Sequence, residues 1–262
     1  MKILKVSGLL DSTLRRSLST LTHDLERFHP DLQEMLRANG GIRRWEYGMM
    51  IYGLPSLSGK DVLDIGSGPS FLPTYLAHRL GARVSVLDLP EPYTIEVQVL
   101  RRRTRQYGVM LQAGDMRYMP FLECSFDVVL SISAIEHLSH SADHKTFPSR
   151  ELFIEHTKRT LSEMYRVLRP GGWIYLTSEA YLPGLVDHDN WSGKLVQGDP
   201  YGAYPLDRVN EIIVSPLRDL GASFPYPMCF EPALLRRDPR YASYRHRFMT
   251  GFNLFAQKST AT

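Results

Sequence analysis

Acidic side chains recur in this chain where apolar runs end, and the first of them lies beside a glycine turn. Asp64 belongs to Val62-Leu63-Asp64-Ile65, which breaks into Gly66-Ser67-Gly68-Pro69-Ser70. Glycine carries no Cβ, so such a turn lets backbone come close to a small ligand. Asp88 closes the run Val84-Ser85-Val86-Leu87, 22 positions after Gly66, and Leu89 follows it. A carboxylate at that place can accept both hydroxyls of a ribose. Asp115 ends the short run from Val109 to Gly114 and precedes Met116. That pair offers a carboxylate for an exocyclic amine and a thioether to flank a purine face. Ser131 lies near the end of a fourth run, Phe126 to Ile132, and Glu136-His137 follow it. An imidazole suits proton removal near neutral pH. Glu136 either takes that role itself or orients the imidazole.

These residues share a reaction zone only if the runs are neighbouring strands. The alternation of short apolar runs with helical patterns predicts that arrangement. Strands over 84–88, 109–114, 126–132 and 173–178 join the first one at 62–65. Between them, helices cover Phe71 to Ala77, Pro92 to Tyr107, and a long segment lined by Ile154, Leu161, Tyr165 and Leu168 that Arg169-Pro170-Gly171-Gly172 stops. A helix over Leu206 to Leu220 and an apolar strand over Phe248 to Lys258 complete the pattern. The fold class is α/β: a doubly wound, mostly parallel sheet with helices on both faces. The acidic residues then line its carboxyl edge, where open sheets of this kind bind ligands.

Residues 1–55 lack this alternation. Leu21, Leu25 and Phe28 predict one amphipathic helix, a second short one starts at Asp31, and Trp45, Met49 and Tyr52 predict a third. Together they form an N-terminal helical cap, with Gly53-Leu54-Pro55 as its boundary and residues 56–262 as the main domain. Residues 181–204 fit neither periodicity and form an active-site loop insertion. Trp45 and Tyr47 from the cap, with His188 and Trp191 from the loop, are candidates to hold a substrate. The Trp45 ring has an alternative use, packing the cap onto the sheet.

Charge and cysteine content narrow the partners. Thirty-one basic against 28 acidic residues leave a net charge of +3, too small to demand nucleic acid. The pairs Arg43-Arg44 and Arg236-Arg237 and the triplet Arg101-Arg102-Arg103 fit solvated helix faces. Cys124 and Cys229 are far apart and fit reduced thiols. No run of 18 or more apolar residues or signal-like core is present, so a cytoplasmic protein without a membrane partner is expected. His140, Asp143 and His144, and later Asp187-His188-Asp189, reproduce no recognised ligand spacing, and no metal is expected.

The chain resembles the class I S-adenosylmethionine-dependent methyltransferases, a Rossmann-like family. The resemblance is carried by Val62-Leu63-Asp64-Ile65-Gly66-Ser67-Gly68, Val86-Leu87-Asp88, Gly114-Asp115-Met116, Phe126-Asp127-Val128-Val129, Ser133-Ala134-Ile135-Glu136-His137-Leu138 and Leu168-Arg169-Pro170-Gly171-Gly172. It covers about residues 58–180. It implies a seven-stranded sheet whose last strand, here Phe248 to Lys258, inserts antiparallel. It also implies that S-adenosyl-L-methionine is the cofactor. Gly66 and Gly68 would then admit its methionine part, Asp88 would hold the ribose and Asp115 the adenine amine, and Met116 would pack on the ring. Leu89 and Ser131 would line the same site, and Asp64 would orient the glycine loop or the amino group. Ser70 departs from the family, because it stands where a third glycine is common. His137 is the candidate general base for a hydroxyl acceptor. Trp45-Glu46-Tyr47 is similar to a segment of bacterial methyltransferases linked to sugar and surface-polysaccharide assembly, so O-methylation of a sugar, glycan or small metabolite is expected. The alternatives are an N- or C-methyltransferase and a decayed cofactor-binding protein. A homodimer is compatible with all of these.

Overall fold

A computed structural model describes residues 40–68, 70–89, 107–139, 149–181, 204–230 and 249–260. The expected helices before residue 40, most of the Pro92 to Tyr107 helix, and His140, Asp143, His144, Asp187, His188 and Trp191 lie outside these residues. So does nearly all of the 181–204 loop.

One sheet organises the described chain. Strands β1 (Asp61–Ile65), β2 (Arg83–Asp88), β3 (Met110–Ala113), β4 (Phe126–Ile132), β5 (Leu168–Tyr181) and β9 (Met249–Lys258) form its body. β7 (Ala222–Ser223) ends the path β3-β2-β1-β4-β5-β9-β7; β6 (Tyr204–Pro205) pairs with β5, and β8 (Cys229–Phe230) with β9. β1 to β5 pair in parallel, while β9 runs antiparallel to β5. The sheet is therefore the mixed, mostly parallel one expected, with the last long strand inserted antiparallel.

Alternation along the strands divides the core in two. Val62, Val84, Val86, Val128, Leu130 and Tyr175 face helices α1 (Gly40–Gly53) and α2 (Leu72–His78). Leu63, Ile65, Leu87, Val129, Ile174 and Leu176 face α3 (Arg150–Val167) and the Ile212-Ile213-Leu217 segment. Burial on both sides accounts for the near-continuous apolar runs of β1 and β4.

Helix α3 starts at Ser149, whose hydroxyl accepts the Leu152 amide at 3.2 Å. Its buried stripe is Phe153, Thr157, Thr160, Leu161, Met164 and Val167, a slight rotation from the expected one, and Leu168 already belongs to β5. The expected Leu206 to Leu220 helix is also shorter. A π-helical turn at Asn210–Val214 leads into α4 (Ser215–Asp219), where Pro216 suits the first turn.

Helix α1 differs most from expectation. Trp45 and Met49 are buried as foreseen, but so are Glu46, Tyr47 and Met50, while Tyr52 is exposed. The helix is packed into the face of the sheet. Its last residue, Gly53, lies against the Phe255 ring of β9, where a Cβ would collide. Arg43 is correspondingly no solvated charge: its Nη1 donates to Glu46 Oε2 at 2.8 Å.

Candidate active site

Parallel register brings the ends of β1, β2, β3 and β4 side by side. Ile65 pairs with Leu87 and Ser131, and Asp88 with Ala113. The loops leaving these strands converge on Gly66. Its φ is +66°, and a Cβ there would lie 2.6 Å from Ala134 Cβ and 3.4 Å from Met116 Cε. Only glycine fits both the backbone angle and the space. The glycine turn, the segment after β3 and the segment after β4 thus meet at one point, as the spacing of motifs predicted. Gly68 also has positive φ, +51°, and a Cβ there would meet nothing within 4 Å. Among the described residues, space is therefore open beside Gly68.

The carboxylates at this edge have distinct surroundings. Asp64 is buried, with Oδ2 lacking a hydrogen-bond partner among the described residues. Burial, with the nearby Asp88 charge adding to it, pushes its carboxyl up to about 7. Asp88 Oδ2 accepts the Gly68 amide at 2.8 Å and Oδ1 the Leu89 amide at 3.0 Å. Burial raises Asp88 as well, and the two amides pull it back. Leu89 is half-exposed beside it.

Asp115 accepts Arg117 Nε at 3.0 Å and Arg117 Nη2 at 2.5 Å, together with the Arg117 amide at 2.8 Å. Burial would raise Asp115, but Arg117 outweighs it and holds the carboxyl below its ordinary value. Any amine reaching Asp115 shares it with this guanidinium.

Other candidates separate. Ser131 pairs with Ile65, so it faces the α3 side of the sheet, opposite Asp64; its hydroxyl is fully buried without a partner among the described residues. Glu136 and His137 stand on a 3-10 turn, Ile135–Ser139. Glu136 is buried and accepts Ser178 Oγ at 2.7 Å. Burial, reinforced by Glu179, raises its carboxyl to about 8, so it keeps its proton at neutral pH. His137 is exposed. Trp45 and Tyr47 belong to the core between α1 and the sheet. The Tyr47 hydroxyl pairs with Ser70 Oγ at 3.0 Å, and burial lifts the phenol to about 12.

Several polar residues here were not foreseen. Glu46 Oε1 accepts Ser133 Oγ at 2.6 Å and Thr177 Oγ1 at 2.7 Å, and its carbonyl accepts the Tyr175 hydroxyl at 2.6 Å. Ser133 has φ +44°, a left-handed conformation held by two bonds from its amide to Thr177 and one from its hydroxyl to Glu46. The available signal was spacing. Arg43, Glu46 and Tyr47 stand at i, i+3 and i+4, a polar stripe on a helix otherwise rich in large apolar residues. Ser70 has a use of its own, since its Oγ also accepts the Leu72 amide at 3.0 Å and helps start α2.

The Asp64 oxygen without a partner among the described residues and the glycine cradle suit a small ligand with a cationic group. Residues 63–176 match the family model described as a methyltransferase domain. Residues 63–176, less than half of the chain, thus resemble a methyltransferase domain.

Among relatives, the phthiotriol/phenolphthiotriol dimycocerosates methyltransferase of Mycobacterium tuberculosis (strain ATCC 25177 / H37Ra) is 35% identical over 118 residues, 45% of this chain and 37% of that protein. Norajmaline N-methyltransferase of Rauvolfia serpentina is 30% identical over 132 residues, 50% of this chain and 40% of that protein. The chain thus spans less than half the length of these curated relatives. The structure of geranyl diphosphate C-methyltransferase from Streptomyces coelicolor A3(2), in complex with Mg2+, geranyl diphosphate and S-adenosyl-L-homocysteine, superposes with a TM-score of 0.59 at 15% identity. That likeness covers 82% of this chain and 80% of that one, and it is one of fold. Among the described residues no helix is long and apolar enough to cross a membrane.

Proposed function

We propose that the protein is an S-adenosylmethionine-dependent methyltransferase acting on a hydroxyl of a small molecule or glycan. The observation that carries the reading is the set of groups gathered at one sheet edge. Among the described residues, Asp64 has a buried oxygen without a partner, Asp88 accepts the Gly68 amide, and nothing lies within 4 Å of a Cβ placed on Gly68. When bound, the cofactor supplies a methyl on a sulfonium, which leaves as a neutral thioether.

The chain's own work is binding, alignment and proton removal. Asp88 holds the ribose, Asp64 faces the amino group, and Met116 and Leu89 flank the nucleoside. His137 is the general base, because it is exposed while its neighbour Glu136 is buried and protonated. Glu136 instead fixes the turn that carries His137, through Ser178.

An amine acceptor is the second reading, favoured by the likeness to norajmaline N-methyltransferase. A panel assay following S-adenosylhomocysteine release, with sugars, nucleotide-sugars, phenols and amines, separates the two. The expected outcome is turnover of a hydroxyl acceptor that falls about 10²–10⁴-fold in His137→Gln, with cofactor affinity kept within a few-fold. Turnover of amines alone, unaffected by that substitution, would move the assignment to the second reading.

A further inference from the structure

We infer that Glu46 is a positioning residue for the transfer step: by holding Ser133 in a left-handed conformation, it fixes the exit from β4 that carries Ala134 and His137. The inference rests on the proposed function, in which His137 takes the acceptor's proton.

The backbone gives the first observation. Among the described residues, Cys124 and Ser133 are the two besides glycine with positive φ, +52° and +44°. An L-residue is crowded there, its Cβ against the following carbonyl, and a turn that needed only the angle could use glycine without that cost. Cys124 lies on the surface. Ser133 stands at the carboxyl edge of the sheet, one residue after β4 and two before the 3-10 turn Ile135–Ser139. Strain kept at such a place has to be held by its surroundings.

Those surroundings come from two other elements. The Ser133 amide donates to Thr177 O at 3.2 Å and to Thr177 Oγ1 at 3.0 Å, which ties the backbone to β5. The Ser133 hydroxyl donates to Glu46 Oε1 at 2.6 Å, and Thr177 Oγ1 donates to the same oxygen at 2.7 Å. Glu46 is buried, and its second oxygen accepts Arg43 Nη1 at 2.8 Å. A buried carboxylate with donors fixed on both oxygens is a stiff bracket. What it fixes comes next in the chain. Ala134 packs on Gly66, where a Cβ would lie 2.6 Å from Ala134 Cβ, and the Ala134 carbonyl accepts the His137 amide at 3.0 Å. The bracket therefore sets where His137 stands relative to the glycine loop.

Three measurements on the full chain test this. They are amide hydrogen exchange at His137, calorimetric titration with S-adenosylhomocysteine, and the rate of S-adenosylhomocysteine release with the sugar, nucleotide-sugar or phenol that wild type turns over. Glu46→Met should speed exchange at His137 and lower the rate, each about 5–30-fold, the population ratio set against a left-handed L-residue. Affinity for S-adenosylhomocysteine should change less than about threefold. Glu46→Gln, whose amide oxygen still accepts both hydroxyls, should lose less. Adding Ser133→Gly to Glu46→Met should recover most of both losses, because glycine takes the angle unaided. Should Glu46→Met not fold, Ser133→Ala and Ser133→Gly decide with Glu46 in place. Both lose the hydroxyl, and the alanine variant should lose more of the rate and of the exchange protection. No advantage of glycine in either background would reduce Glu46 to a packing role and overturn the inference. So would wild-type exchange and rate in Glu46→Met, or a loss of S-adenosylhomocysteine affinity equal to the loss of rate. A wild-type protein that turns over no hydroxyl acceptor would sink the proposed function, and the exchange measurements would still decide whether Glu46 sets the turn.

Discussion

Asp61 begins a five-residue strand and Asp64 is its next-to-last residue, and their chemistry is opposite. At the amino end, Asp61 accepts Arg83 Nε at 2.7 Å and Arg169 Nη1 at 2.8 Å, and Arg169 also reaches Asp127 at 2.9 Å. The hydrogen bond from Arg83, with Arg169 adding to it, holds Asp61 down to about 2. At the carboxyl end, burial pushes Asp64 up to about 7 and Glu136 to about 8. One end of the sheet has satisfied its charges with its own side chains, so it can only contribute to stability. The other end buries carboxyls whose ionisation is costly, and at Asp64, with Oδ2 unpartnered among the described residues, a ligand of the right charge would remove that cost.

The comparison breaks first at Asp88. Asp88→Ala should weaken S-adenosylhomocysteine about 10–150-fold, since a hydrogen-bonded charge is worth roughly 1.5–3 kcal/mol. Its thermal midpoint should stay close to wild type. Equal affinities in calorimetry would remove Asp88 from the site.

A second effect should appear at Asp64. Its folded value is raised above the ordinary 3.8, so the stability it contributes is full below 3.8 and is lost as pH rises through about 7. Asp64→Asn should therefore make the ligand-free protein more stable than wild type at pH 8, by about 1–3 kcal/mol, and equal to it at pH 4. Denaturant unfolding at both pH values measures this, and a difference that does not vary with pH would contradict it.

The smallest effect belongs to the amino end. Arg169→Met should cost about 0.5–1 kcal/mol near pH 7, because its partners are partly exposed and screened. Asp61 is depressed, so its share of that contribution is present above 3.8 and disappears as pH falls towards 2. Binding of S-adenosylhomocysteine should not change. A drop in affinity would mean the two ends are not independent.

Much of the sheet was legible because both its faces are buried. The apolar runs at 62–65, 84–88 and 126–132 leave little choice of structure, and the acidic residues ending them fall at one edge once the strands are parallel. The meeting of Gly66 with Met116 and Ala134 follows from that register. What sequence did not disclose lies across elements. Glu46 contacts Ser133 and Thr177, which are 87 and 131 positions away, and no local periodicity encodes such a pairing. Arg117 closing on Asp115 is local, but an ordinary i, i+2 spacing does not distinguish it from a surface charge. The burial of α1 was underestimated because a helix containing Arg43, Arg44 and Glu46 looks amphipathic until Glu46 is seen to have buried partners.

The inserted antiparallel strand has a consequence for how the molecule comes into being. β9 pairs with β5 from Trp173↔Gln257 to Tyr181↔Met249 and supplies Phe252 to one core and Phe255 to the other. β1 to β5 and their loops are synthesised first and carry the Glu46 partners Ser133, Tyr175 and Thr177, but the Phe255 ring beside Gly53 comes only with residues 249–258. Gly53 has no Phe255 ring to settle on before then. The helix bearing Arg43 and Glu46 is among the earliest parts of the described chain to be made, while the Phe255 ring against its last residue is among the latest.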